Sequence, residues 1–266
     1  MSGELRRYLT QQIALGGSEV VLPQVLERDG SAGNARDEDV PMATTASSVA
    51  VESGKWRKGA PPVPGPGLDV TSGGASLLAG ELDGLTTLEA IAERIRTTYC
   101  CDLCPKRTHG VPGEGDPRAR LVLIGEAPGA NEDATGRPFV GQAGQLLDSI
   151  LDAVELARSA VYITNIVKCR PPQNRKPQPD EVAACIPYLH RQLELLQPKV
   201  ILALGGTAAE ALLGVKKTLG ELRGKVHRYN GVPLVVTYHP AALLRNPNWK
   251  KPTWDDVRIA RQLLDG

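Results

Sequence analysis

Phenylalanine occurs once in these 266 residues, at Phe139, and aromatic side chains make up only 4% of the chain. A lone flat ring between two glycine-rich turns is either a plug in the core or a surface for stacking. No apolar run is long enough to cross a bilayer, and the amino terminus lacks the charged-then-apolar order of a secretory signal; a cytoplasmic protein without a membrane partner is expected. No Gly-Lys-Ser/Thr phosphate loop is present, which disfavours a nucleotide enzyme. Cysteine is missing from the first 80 residues and then appears five times, as Cys100, Cys101, Cys104, Cys169 and Cys185. In a reducing compartment these read as thiolate ligands or buried thiols rather than disulfides.

Net charge is also scarce, at +1. Residues 1–80 hold 12 Gly and 6 Pro, including the run from Pro61 to Gly67, with apolar periodicity only near Leu5 to Leu15. They read as a largely disordered, linker-like extension of unknown partner, and residues 81–266 as one domain. The extension carries 7 basic and 9 acidic side chains, leaving 24 basic against 21 acidic for the domain. That balance permits nucleic-acid binding without demanding it.

Strand and helix patterns alternate through the domain. A helical pattern runs from Gly80 to Tyr99, and Leu121 to Ile124 reads as a buried strand. Leu146, Leu147, Ile150, Leu151 and Val154 mark a helix face, and Val161 to Val167 a second strand. After a Pro-rich loop, Arg170 to Pro179, come a helix over Asp180 to Leu196, a strand over Val200 to Leu204 and a short helix over Thr207 to Leu213. Val232 to Tyr238 is a further strand, and Thr253 with Asp256 marks the start of a last helix. This order predicts a mostly parallel sheet covered on both faces, with functional residues at strand carboxyl ends.

Four groupings could carry chemistry. The stretch GEAPGANEDATGRPFVGQAG from Gly125 to Gly144 follows the first strand and holds Phe139, with Glu126, Glu132 and Asp133 as nearby carboxylates that either face a pocket or cap a helix. Asn165 falls among Val161, Ile163 and Val167 by alternation; its amide could read the edge of a uracil-like base or bond loop backbone. His239 follows the last strand, where it could donate to an oxygen gaining charge, and Leu243, Leu244 and Arg245 form either a packed turn or a wedge for a DNA stack. Cys101-x-x-Cys104 with Cys169 and Cys185 could complete a four-thiolate site, a structural zinc or an iron–sulfur cluster, while buried unligated thiols are the other reading.

Together, Gly125-Glu-Ala-Pro-Gly129, Gly136-Arg-Pro-Phe-Val-Gly141, Thr164-Asn-Ile-Val-Lys-Cys-Arg-Pro-Pro172 and His239-Pro-Ala-Ala-Leu-Leu-Arg-Asn-Pro247 resemble the family 4, iron–sulfur uracil-DNA glycosylases over roughly residues 98 to 266. The resemblance implies a three-layer α/β/α fold with a central, mainly parallel four-stranded sheet, a [4Fe–4S] cluster, and hydrolysis of the bond between uracil and deoxyribose in DNA by a monomer. It implies that Gly125, Glu126, Ala127 and Gly129 line the uracil pocket, that Phe139 stacks on the flipped base, that Asn165 reads its edge and that His239 contacts its oxygen. Leu243, Leu244 and Arg245 would fill the gap in the duplex.

Two departures stand out. Ala127 replaces the water-directing aspartate of other branches, leaving Glu126, a backbone carbonyl or unaided water attack. Aligned on Arg107-Thr108, the first cluster cysteine would fall at Thr98, so the register shifts to Cys101 and Cys104 or Cys100 substitutes. A covalently trapping branch carries a histidine in the loop after the second strand, and Pro171 to Pro179 has none. The competing function is a non-hydrolytic module that grips uracil-containing or single-stranded DNA around a Cys₄ zinc.

Overall fold

Val200–Leu204 and Leu121–Gly125 are fully buried along their length, and such continuous apolar runs form strands only when both sheet faces are covered. The structure, a computed structural model, describes residues 54–71 and 82–266. In chain order the strands are β1 (Pro66–Val70), β2 (Glu114–Gly115), β3 (Leu121–Gly125), β4 (Tyr162–Asn165), β5 (Val200–Leu204), β6 (Val226–Tyr229) and β7 (Val232–Thr237). They form one sheet ordered β1-β6-β7-β5-β3-β4-β2. The central set β4, β3, β5 and β7 is parallel, and β2 and β6 add antiparallel to its two sides.

The helices are α1 (Leu88–Thr97), α2 (Ala130–Thr135), α3 (Gln142–Ala153), α4 (Pro179–Leu196), α5 (Gly206–Leu213), α6 (Leu219–Leu222), α7 (Pro240–Arg245) and α8 (Lys250–Asp265). Strand alternation sorts the core into two layers. Val122, Ile124, Ile201, Ala203 and Val236 pack with Ile91, Leu189 and Leu212 from α1, α4 and α5. Leu121, Leu123, Ile163, Leu202 and Val235 pack with Leu147, Leu151, Val257 and Ala260 from α3 and α8. This is the expected three-layer α/β/α arrangement, and its four parallel strands are the expected ones. The sheet is nevertheless larger than four: seven strands lie among the described residues.

The additional strands are the two edges, β1 and β2, and the short β6 that joins β1 to β7. β1 belongs to the stretch read as linker. It runs parallel to β6, and the Leu68 N–H donates to Nδ1 of buried His227 at 3.0 Å. A Cβ on Gly67 would lie 2.5 Å from that imidazole, so glycine lets the strand close on the sheet. Trp56 is buried with the second core layer. The extension boundary at residue 80 therefore fails for residues 54–71, while the periodic segment near Leu5 to Leu15 lies outside the described residues.

Helix α8 also starts earlier than expected. Thr253 is inside it, with its hydroxyl donating to the Trp249 carbonyl at 2.8 Å, and Asp256 pairs with Arg223 at 2.7 Å instead of capping. No described helix is long and apolar enough to cross a membrane.

Candidate functional site

β3 and β4 end in register, Gly125 beside Asn165, so the loops that follow open at the same sheet edge. Asn165 is 1% exposed, and its buried Oδ1 has no hydrogen-bond partner among the described residues. An orphaned buried acceptor is costly, about 1 to 3 kcal/mol, and is retained where a ligand can supply the missing donor. A Cβ on Gly125 would sit 2.4 Å from that oxygen and 2.6 Å from Cζ of Phe139. The amide and the ring edge thus converge over one glycine, which any side chain would displace. Asn165 itself is tied down through its backbone: the Lys168 ammonium donates to the Asn165 carbonyl, Thr164 Oγ1 and Gln192 Oε1, each at 2.8 Å. Burial pushes the Lys168 pKa down to about 7, with the charges of Cys185 and Cys169 opposing.

Phe139 is buried, and its φ of 51° lies in the left-handed region, a conformation costing about 1 to 3 kcal/mol for a bulky residue. The surrounding bonds hold it there. Glu132 accepts from the N–H groups of Val140 and Gly141 at 2.9 Å each, and from Gly129 N–H at 3.1 Å. Arg158 donates to the carbonyls of Pro138 and Phe139. A Cβ on Gly144 would overlap the Phe139 carbonyl, so this glycine lets α3 pass directly beneath the loop.

The third wall follows β7. His239 stacks on Phe139 with ring centroids 5.4 Å apart and planes at 29°. Its Nδ1 accepts from the Ala241 N–H at 3.2 Å, which leaves the proton of a neutral imidazole on Nε2. Burial, reinforced by the charge of Arg245 and opposed by Glu132, lowers the His239 pKa to about 4. The ring is therefore a neutral donor at physiological pH.

The remaining expectations divide. The Glu126 carboxylate accepts from Thr207 Oγ1 at the start of α5, and Ala127 packs against the first core layer. Glu132 fulfils the capping alternative through the Gly129 N–H at the start of α2, while Asp133 accepts from the N–H groups of Thr108 and His109 in a loop and caps no helix. Gly129 N–H is taken by Glu132 and is not open to a base. α7 turns Leu243 into the core at 1% exposure, because a six-residue helix between two prolines presents that position inward, and leaves Leu244 (48% exposed) and Arg245 at the surface. The wedge reading thus loses Leu243. Val167 also changes layers, since β4 stops at Asn165 and the alternation ends there.

All five cysteines are free thiols and four of them meet in direct sulfur contacts: Cys104 Sγ lies 3.7 Å from Cys100 Sγ, 3.9 Å from Cys101 Sγ and 3.5 Å from Cys169 Sγ. Cys185 joins them beside Cys100, lining one pocket with Cys169, Arg107 and Lys168. Arg107 Nη1 donates to Cys169 Sγ at 3.0 Å and the Cys100 N–H donates to Cys104 Sγ at 3.3 Å. Donation from Cys100 first, then from Cys101, pulls the Cys104 and Cys185 thiols well below the ordinary range. Cys100 and Cys101, though adjacent in sequence, both turn their sulfurs toward Cys104, so Cys100 lies in the group together with the expected Cys101. An all-sulfur donor set, buried at Cys104, Cys169 and Cys185 and half-buried at Cys100 and Cys101, with N–H donors aimed at it fits an iron–sulfur cluster, or a thiolate-bound zinc.

Sequence reasoning missed Arg158, Glu114, Lys168 and Gln192; most of their bonds, such as Arg158 to Glu114 and Gln192 to the Pro112 carbonyl, join residues far apart in the chain. The buried Lys168, directly before Cys169 in the mostly apolar stretch Ile166 to Cys169 that follows β4, is the only one with a signal, a charge among apolar neighbours.

The profile of the Uracil DNA glycosylase superfamily matches residues 112–260. The chain is 44% identical over 188 residues to the type-4 uracil-DNA glycosylase of Sulfurisphaera tokodaii, spanning 67% of this chain and 86% of that protein. It is 49% identical over 168 residues to the type-4 uracil-DNA glycosylase of Pyrobaculum aerophilum, spanning 60% and 86%. A type-5 uracil-DNA glycosylase of Thermus thermophilus is 40% identical over 185 residues, spanning 54% and 84%.

Proposed function

The chain belongs to the uracil DNA glycosylase superfamily, as a type-4 member, and from that premise we propose how it excises uracil from DNA in base excision repair. The observation that carries the assignment of roles is the buried, partnerless Oδ1 of Asn165 beside Phe139. A uracil turned out of the duplex slides onto the Phe139 ring, which replaces part of the stacking it loses. Asn165 Oδ1 accepts the base N–H and its amide nitrogen donates to the neighbouring carbonyl oxygen. Cytosine presents the opposite pattern and leaves both ends unpaired, which is how such a pocket rejects it.

When the bond between C1′ and the base nitrogen breaks, its electron pair stays on uracil. Nε2–H of neutral His239 donates to the oxygen where that charge collects, an arrangement already fixed by the Nδ1 bond to Ala241. Water oxygen attacks C1′ and loses a proton to solvent. Glu126 is bonded to Thr207 through one carboxylate oxygen, and the other is the group we assign to orienting that water. Leu244 and Arg245 enter the emptied position in the duplex.

Cys101, Cys104, Cys169 and Cys185 are the residues we assign to a [4Fe–4S] cluster. The cluster would brace the loop that follows β4 and take no part in bond cleavage. We place the protein in the cytoplasm, as a monomer acting on uracil-containing DNA.

The test is incubation of the protein with a uracil-containing oligonucleotide and a chelator of divalent metals, followed by alkali. Free uracil and strand cleavage at the abasic site are expected. Intact strands alongside measurable DNA binding would instead establish a non-hydrolytic binding module.

A further inference from the structure

We propose that Arg158 is the positioning residue for base stacking: it sets the place of the Phe139 ring by gripping the backbone of the loop that carries it. The proposal rests on the glycosylase reading above. Arg158 lies in the short turn before β4 and touches neither Asn165 nor His239 through any hydrogen bond. Its five N–H groups are nonetheless all engaged. Nε and Nη2 donate to Glu114 Oε1 at 2.9 and 2.6 Å, Nη2 to the Pro138 carbonyl at 2.6 Å, and Nη1 to the Phe139 carbonyl at 3.1 Å and to Asp148 Oδ1 at 2.8 Å.

The bonding joins three elements. Glu114 is on β2, Asp148 is on α3, and the two carbonyls flank the one residue of the loop held at positive φ with an aromatic side chain. Glu132 secures the N–H groups just after Phe139, so the loop is held by its donors on one side and its acceptors on the other. A left-handed aromatic residue persists only when its surroundings over-determine it. Arg158 supplies the carbonyl half of that constraint, and a planar fork is required to reach two carbonyls and two carboxylates at once. Lysine, with three donors on one nitrogen, cannot reproduce it.

Phe139 is the only phenylalanine, which makes the proposal directly readable. Full-length holoenzyme labelled with fluorophenylalanine gives a single ¹⁹F resonance that reports this ring alone. In Arg158→Lys and Arg158→Met that resonance is expected to shift and broaden, and single-turnover uracil excision to fall about 10- to 100-fold, the loss that follows a misplacement near 1 Å. Affinity for abasic product DNA, where no base occupies the pocket, should change little. Arg191→Met serves as the control for general destabilisation: Arg191 bonds the carbonyls of Leu85 and Asp83 on the opposite sheet face, so the ¹⁹F line should stay in place.

An unmoved resonance with excision near the wild-type rate would make Arg158 an ordinary surface tie and overturn the proposal. So would a moved resonance with unchanged excision, or slow excision with an unmoved resonance, since either uncouples the ring from the arginine. Wild-type protein that shows the single line but releases no uracil would sink the glycosylase reading instead.

Discussion

The base pocket and the cysteine site lie at the same sheet edge and are built on opposite plans. In the pocket, Asn165, Phe139 and His239 are each fixed by groups outside that trio. Lys168 holds the Asn165 carbonyl, Glu132 and Arg158 hold the Phe139 loop, and the Ala241 N–H holds His239. In the cysteine site the functional atoms mostly touch one another, and five thiols gather where four ligands suffice. The pocket therefore has no spare part and the cysteine site has one. Preorganised polar groups yield their full electrostatic worth because nothing needs to move, whereas a surplus ligand tolerates loss.

The sharpest way to break the comparison is at Asn165. Asn165→Asp keeps an acceptor but removes the donor, and adds a charge that opposes the anion forming on uracil. Losing one well-placed donor costs about 100- to 1,000-fold in rate, so single-turnover excision should fall by that factor while circular dichroism and DNA affinity stay near wild type. A rate close to wild type would reduce Asn165 to a structural amide.

The cysteine site should respond by occupancy rather than rate. Cys104 touches Cys100, Cys101 and Cys169 and receives the Cys100 N–H, so it is the hub of the set. Cys104→Ala should lose most of the bound iron and acid-labile sulfide in purified protein, measured per chain. Full retention would place the ligands elsewhere.

These contrasts also explain what could be read in the sequence. The four parallel strands announce themselves because a strand covered on both faces must be apolar throughout, as β5 is, and the helices because α3 and α4 repeat leucines on one face. β1 and β2 are the two edges, where the sequence Pro-Gly-Leu-Asp-Val looks like linker and two residues leave no pattern, and β6, just inside β1, is a four-residue strand of mixed polarity. The pocket was legible through its motif residues, Gly125, Phe139, Asn165 and His239. Its supports were not, since a guanidinium bonding two carbonyls twenty residues away has no periodic signature. The sequence leaves Leu243 and Leu244 open between a packed turn and a wedge, and the structure divides the pair, with Leu243 buried and Leu244 exposed.

The pocket's fixed imidazole predicts a pH profile. With its pKa lowered to about 4, chiefly by burial, His239 remains a neutral Nε2 donor down to mild acid. Excision should vary no more than about twofold between pH 5.5 and 8 on account of this group, and fall once the pH drops through the folded pKa. Protonation of Nδ1 would also cost the bond from Ala241. The sign for stability is the same: between about pH 6.5 and 4 the unfolded chain binds a proton that the folded ring refuses, so stability declines as pH falls across that window. A single-turnover profile breaking near 6.5, and shifted by His239→Asn, would show an ordinary histidine and undo the account.

The smallest effect belongs to the spare thiol. Cys100 and Cys101 are adjacent, and both sulfurs reach Cys104. The Cys101-x-x-Cys104 pair places two sulfurs at the ends of one tight turn, closed by the Cys104 N–H bond to the Cys101 carbonyl at 3.0 Å, which is the geometry of a chelate. Cys100 contributes its N–H to the Cys104 sulfur through the backbone, and that bond survives any side-chain change except proline. Cys100→Ala should thus keep iron and sulfide near the wild-type content, with the visible absorption band of the cluster unchanged in position. Cys101→Ala should lower the content further, by as much as Cys100 fails to swing into the vacated place. If Cys100→Ala empties the site and Cys101→Ala leaves it filled, the ligand register runs through Cys100, and the surplus that separates this site from the pocket lies at Cys101 instead.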